Sequence, residues 1–348
     1  MRHSSNVTRR SGRRSPQLAL QRDTNAEVAR IVEWYFDKVF GAHEGPGVLP
    51  YYCDPARVGA FALSRTELAT GNDNALFRLF VALSMFQGLR DVVIMKRQRM
   101  FTPEAVALIA SLEHLRQAVV QNTCPVLGSV DLFDKGCDVE KNGEKVDCRK
   151  RRGAYCHIKD ATTAFKRMGD MGKLPTSAWL HLWKSGGIGS VVHHVLRTEY
   201  VPTKRASLLV EKFARIHRVG RKLATMYVSA LSVPPLALGL TPWFPEVDGN
   251  ELVVVDTNVA RAVDALRPAN AVKTYDAREQ WVRKHAVKID LRRFHPNVPN
   301  YSPRLVQQAL YSFCSKSNRV ARGDPCAQVA SECASCPSAL CPFSVVAR

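Results

Sequence analysis

KRASLLVEKFARIHRVGRKLATMYVSA, residues 204–230, is the stretch on which the reading of this chain turns. Helical periodicity predicts one helix over 204–216 and a second over 221–230, joined by the turn His217-Arg218-Val219-Gly220. The second helix starts on a glycine. Free backbone N–H groups at such a start, with the helix dipole behind them, form a phosphate seat that reads no sequence. Thirty-four residues beyond Lys222, Val254-Val255-Asp256-Thr257-Asn258-Val259-Ala260-Arg261 places an aspartate where the chain passes from extended to helical. An aspartate there is a good helix N-cap in its own right.

Outward from this unit the chain reads as helix after helix. Val28, Ile31, Val32, Tyr35, Phe36 and Val39 recur at helical spacing, and Leu76, Leu79, Phe80, Leu83 and Phe86 line one face of a helix expected over 74–100. Thr102-Pro103-Glu104 opens another over 102–120. Further helices are expected over 176–184, 188–197 and Thr257–Leu266, and one ahead of Cys314 carries Leu305, Leu310, Tyr311 and Phe313 on an apolar side that makes Cys314 a core cysteine or, alternatively, a ligand in place of Cys326. Pro234, Pro235, Pro242 and Pro245 mark a loop. Strand signals are few, so the class is all-α.

A length of 348 residues allows two or three packed units. Apolar residues at 46% and charged residues at 23% exclude a disordered or fibrous chain. No apolar window reaches the ~18 residues of a membrane span, and the Arg-rich N-terminus lacks the apolar core of a secretion signal. An intracellular, reducing setting is expected, cytoplasmic or nucleoid-associated. Fifty Lys and Arg against 31 Asp and Glu leave a net charge of +19, which favours a polyanion as partner. Nucleic acid is preferred to a membrane surface, because no long amphipathic basic helix stands out. Residues 1–22 hold six arginines and no acid, the composition of a flexible basic tail.

Ten cysteines in a reducing compartment suggest metal ligation more than disulfides. Cys326, Cys333, Cys336 and Cys341 crowd sixteen residues near the C-terminus, a thiolate set that suits tetrahedral zinc or a 4Fe-4S cluster, and spacing alone does not choose.

Val219-Gly220-Arg221-Lys222 after a helix, then Val255-Asp256-Thr257 with Arg261, then the four-cysteine loop, resemble in order and type the helix-hairpin-helix DNA glycosylases of the endonuclease III kind. Leu83-Ser84-Met85-Phe86-Gln87 resembles that family's helix-ending segment, whose glutamine fills the gap left by an extruded base. The resemblance implies a two-domain all-α fold: N-terminal helices over 23–72 packing with a cluster domain over 246–348, and a helical barrel-like domain over 73–245. It implies a 4Fe-4S cluster on Cys326, Cys333, Cys336 and Cys341. It also implies Lys222 as the nucleophile at C1′ of a flipped nucleotide, with Asp256 assisting. Gln87, Arg218, Val219, Gly220, Arg221 and Arg261 would contact DNA. The implied activity is a base-excision glycosylase with abasic-site lyase activity, monomeric on double-stranded DNA, with an oxidised pyrimidine as the family-level substrate. A monofunctional glycosylase with Asp256-activated water, and a noncatalytic DNA-binding iron–sulfur protein, stay open. Where the family has Leu-Pro-Gly, this chain has Ile216, His217 and Arg218; its last cysteine spacing is one residue shorter, and its Lys222-to-Asp256 connection is longer.

Residues 121–173 read as an insertion between helices. Its Cys124, Cys137, Cys148 and Cys156, with His157, form either a second metal site for zinc or a small packed subdomain, since no CxxC turn marks them. Its basic run Arg149, Lys150, Arg151, Arg152 is either a DNA-backbone contact or a solvated face. Trp243 and Phe244 either stack on a base or anchor their loop to the core.

Overall fold

The computed structural model describes residues 23–120, 124–137, 156, 158, 159, 161, 165, 171–184 and 186–321. The basic tail, Cys148, the basic run with His157, and Cys326, Cys333, Cys336 and Cys341 lie outside the described residues. Among those described the chain is helical, with one isolated bridge between Phe40 and Glu44 and no strand. No helix among them is long and apolar enough to cross a membrane.

Helix α1 (Thr24–Lys38) starts on Asp23, whose carboxylate accepts from the amides of Asn25 and Ala26. Val28, Ile31, Val32 and Tyr35 fall on its inner face at the expected spacing and are buried. Short helical turns over Tyr51–Cys53, Pro55–Val58, Gly59–Phe61 and Arg65–Ala69 follow.

The single helix expected over 74–100 is two. Helix α2 (Asp73–Ser84) ends in a turn, and α3 (Asp91–Arg99) starts after it. The terminal carbonyls of α2 are taken by side chains. Gln87 Nε2 donates to Ser84 O at 2.7 Å, the buried Gln98 Nε2 donates to Ala82 O at 2.8 Å, and Gly88 turns the chain with φ +65°. The helix expected over 102–120 is likewise broken, into α4 (Pro103–Ala110) and α5 (Leu112–Val120). Ser111 between them is extended, and Asn74 Oδ1 accepts the amide of Leu112 at 3.1 Å.

Within the insertion, α6 (Val130–Gly136) is helical. Helix α7 (Leu174–Ala178) widens into a π-turn over Trp179–Trp183, where Trp183 meets Phe77 edge-on at 4.8 Å. Helices α8 (Gly187–Thr198), α9 (Pro202–Phe213) and α10 (Arg221–Ser232) match their sequence expectations closely. The loop after α10 leads through extended, buried Leu252–Val255 to α11 (Thr257–Leu266). Helices α12 (Tyr275–Ala286), α13 (Pro303–Cys314) and α14 (Lys316–Ala321) complete the described chain.

Two apolar clusters organise these helices. The first runs from Tyr52 to Leu252 and is centred on aromatic contacts: Tyr227 of α10 touches Phe80, Phe213 and Trp243 with ring centroids 4.8–5.7 Å apart. Trp243 is therefore a core anchor, whereas its neighbour Phe244 is exposed. Tyr227 also donates its hydroxyl to Leu76 O at 3.0 Å, which ties α10 to α2. The second cluster combines α1 with Val253, Val255, α11, α12 and α13, and includes the buried Cys314. The division between the clusters falls between Leu252 and Val253, near the expected 245/246 boundary. The expected grouping of 23–72 needs correction: α1 joins the second cluster, but Tyr52, Val58, Phe61 and Leu68 pack into the first.

Candidate active site

A cavity of about 630 Å³ opens where the two clusters meet. Its walls include Lys222 from α10 and Asp256 from the start of α11, so one residue comes from each side of the division.

Lys222 is half-buried, and its Nζ donates to Phe86 O at 3.0 Å. Phe86 lies in the turn that closes α2, so two segments singled out from sequence, 83–87 and 219–222, meet across 136 positions. Asp256 caps α11: Oδ1 accepts from Val259 N at 2.7 Å, and Oδ2 accepts from Asn258 Nδ2 at 3.3 Å. Asp256 is thus a helix cap that also lines the cavity. Burial raises the Asp256 pKa above the ordinary carboxylate value; the Val259 amide and the Lys222 charge pull it back, and Asp91 pushes it further up.

Asp91 opens α3 and accepts the hydroxyl proton of Tyr311 from α13, while Asn318 Nδ2 donates to Tyr311 Oη at 2.8 Å. Burial, together with the Asp91 carboxylate, holds the Tyr311 phenol well above its usual pKa. Asp91 and Tyr311 both line the cavity; the sequence reading singled out no role for Asp91 and took Tyr311 as part of an apolar helix face. Arg304, Gln307 and Gln308 of α13 add to the polar wall, which also includes His43, Glu44, Arg57, Arg99, Ser229 and Asn318. With Tyr311 the three α13 residues follow the i, i+3, i+4, i+7 pattern, a polar stripe on a helix whose other positions are largely buried. The sequence reading had set Tyr311 on the apolar side of this helix, because an amphipathic ring counts as apolar in the periodicity.

The other expected contacts divide. Arg218 is exposed and adopts φ +63°, a left-handed conformation at the position where the glycosylase resemblance has glycine. Val219 is buried and its amide donates to Ile216 O at 2.9 Å, closing the turn. Gly220 has ordinary φ −78°; it is the N-cap of α10 and leaves that helix start with no side-chain cap. Arg221 points away from the hairpin: it pairs with Asp276 at 2.5 Å and Glu279 at 2.6 Å and lies over the Tyr275 ring, 5.1 Å from its centre. Two carboxylates thus neutralise the cation that the sequence placed beside Lys222. Arg261 donates to Asn258 Oδ1 at 3.2 Å and to Cys314 O at 2.5 Å, joining α11 to the end of α13. Gln87 is half-buried and turned back onto Ser84, one residue after the cavity-lining Phe86.

Among the described residues no group of three His, Cys, Asp or Glu side chains is placed to hold a metal. Cys124, Cys137 and Cys156 are described, but their expected partners Cys148 and His157 fall outside the described residues, as do the four C-terminal cysteines. Comparison with models of protein families, with curated proteins and with solved structures returns no match.

Proposed function

We propose that the protein is a helix-hairpin-helix DNA glycosylase with abasic-site lyase activity, acting on double-stranded DNA through a base extruded into the cavity between the two clusters. The observation that carries this reading is the convergence of Lys222 and Asp256, distant in sequence, on the wall of one cavity. Its volume lies within the range of small-molecule sites, ~300–1,000 Å³. The exposed turn at Arg218, with the uncapped start of α10 beside it, suits a backbone phosphate.

In this reaction the neutral Lys222 amine attacks C1′ while the C1′–N bond breaks and its electron pair leaves with the base, which takes up a proton. The proton lost from the new C–N centre passes to O4′ as the C1′–O4′ bond opens, giving an imine and a free O4′ hydroxyl. Removal of a C2′ proton then releases the 3′ phosphate. Asp256 stabilises the positive charge that builds on the sugar as the base departs. Cys326, Cys333, Cys336 and Cys341 would hold a 4Fe-4S cluster, in the segment that follows α13 and α14.

A second reading, a monofunctional glycosylase, is favoured by one contact: the Lys222 ammonium is engaged by Phe86 O at 3.0 Å. Asp256 would then activate water. Borohydride added during turnover separates the two. A covalent protein–DNA adduct that disappears in Lys222→Gln together with strand nicking supports the lyase. Base release that persists in Lys222→Gln without nicking supports the monofunctional enzyme. If neither Lys222→Gln nor Asp256→Asn alters any DNA chemistry, both readings fall.

A further inference from the structure

Arg304 opens the polar stripe of α13 and is half-buried, its accessible part lying in the cavity wall. Three of its five N–H bonds are assigned. Nε donates to Ser229 Oγ at 3.2 Å, and Nη1 donates to Gln307 Oε1 and Gln308 Oε1, both at 2.8 Å. These acceptors are themselves oriented. Gln308 Nε2 donates to Glu44 Oε2 at 2.8 Å, which fixes its carbonyl toward Arg304, and Gln307 Oε1 also accepts from Val254 N at 3.3 Å. The guanidinium plane is therefore locked. Among the described residues Nη2 makes no hydrogen bond and no carboxylate lies in ion-pair contact with the guanidinium. Burial pulls the Arg304 pKa below its ordinary value, the mark of a cation held where water does not fully solvate it. Nearby in the same wall, the Tyr51 hydroxyl is buried without a hydrogen-bond partner.

A guanidinium only donates. A rigid one presenting an unpaired N–H₂ edge to a cavity favours a ligand that offers acceptors and disfavours one that offers another amino group, because two donors then face each other away from water. The Tyr51 hydroxyl adds a second group able to donate.

We infer that Arg304 is the specificity-determining residue of this cavity, and that the extruded base it selects turns a carbonyl oxygen, rather than an exocyclic amino group, toward α13. This inference rests on the glycosylase reading and names the chemistry of its substrate.

The test uses pairs of duplexes that differ only in that group: 5-hydroxyuracil against 5-hydroxycytosine, and hypoxanthine against adenine. Single-turnover base release by the full-length protein is measured for each, and the readout is the carbonyl-to-amino rate ratio, in which a general loss of rate cancels. The wild type should prefer the carbonyl member of at least one pair, and Arg304→Met should lower that ratio about 10- to 100-fold, the range for a lost hydrogen bond to a charged group. Arg304→Lys, which keeps the charge but not the planar fork, should retain part of the preference. A ratio that is unchanged in both variants, or a wild type that prefers the amino members, overturns the inference. Nicking of a preformed abasic site by the wild-type protein is measured alongside. If nicking is present while the ratio ignores Arg304, this inference fails alone; if neither nicking nor release of any base occurs, the glycosylase reading fails and takes this inference with it.

Discussion

Asp256→Asn should separate activity from stability. In the folded protein Oδ1 accepts from Val259 N at 2.7 Å, and an asparagine carbonyl fills that role with a change of only a few tenths of a kcal/mol. The longer contact from Asn258 Nδ2, 3.3 Å, is lost or reversed at a cost of at most about 1 kcal/mol. Against this, the substitution removes a buried charge. Because folding raises the Asp256 pKa, the ionised form weakens the fold: the stability present when the group is protonated, below its unfolded pKa of about 3.9, is lost as pH rises through the folded value. The asparagine variant carries no such penalty. Its stability relative to wild type should be equal or higher at about pH 7, and that advantage should shrink as pH falls into the ordinary carboxylate range. Base release should move the other way, down by about two to three orders of magnitude, the usual effect of losing one preorganised charge-stabilising group. In the wild type, release should also decline as acid protonates Asp256. Urea unfolding followed by helix circular dichroism at the two pH values, beside single-turnover release, measures both. A variant less stable by more than about 1 kcal/mol at both pH values, or one with near-normal release, would refute the reasoning and leave Asp256 as a cap.

Arg218→Gly relieves a left-handed backbone that costs a non-glycine residue roughly 1–2 kcal/mol, against roughly 0.5–1 kcal/mol for the freedom glycine adds to the unfolded chain. The urea midpoint should rise slightly, while the slope of log DNA affinity against log salt should weaken by about 0.9 if Arg218 meets one phosphate; a lower midpoint would show that its side chain stabilises the turn more than its φ strains it. Gln87→Ala removes the cap on Ser84 O and should cost about 1 kcal/mol of stability. Its release of a paired base should drop more than its release of an unpaired one, and equal losses on both would reduce Gln87 to a helix cap.

Periodicity located the helices wherever an apolar stripe faces one core, as in α1, α9, α10 and α11. It failed where apolar residues continue through a break. Met85 and Phe86 are buried in the turn after Ser84 and so extend the pattern of α2, although Gly88 and the acid at Asp91 already signalled a stop and a fresh start. Ser111 breaks the next helix while Ile109, Ala110 and Leu115 stay buried on either side. Of the cavity, Lys222 and Asp256 were legible because each sits at the start of a helix with a recognisable local motif. Asp91, Tyr51 and Arg304 were not, because only tertiary packing brings three such distant segments to one wall. The ion pairs of Arg221 were hidden for the same reason: Asp276 and Glu279 lie more than fifty positions away, on a helix the sequence did not announce.

The junction between the two apolar clusters is crossed by directional contacts: Arg304 to Ser229, Tyr311 to Asp91, and Arg221 to Asp276 and Glu279. Each cluster can exchange one aliphatic side chain for another of similar volume at modest cost, since apolar packing constrains size more than orientation. A hydrogen bond needs its donor aimed at its acceptor and cannot survive exchange of the one for the other. Sequence drift is therefore absorbed inside the two halves and refused along the line between them. In a set of random variants, the substitutions that abolish activity while leaving the helices intact should map as a narrow band through Ser229, Asp91 and Arg304, with silent changes on both sides of it.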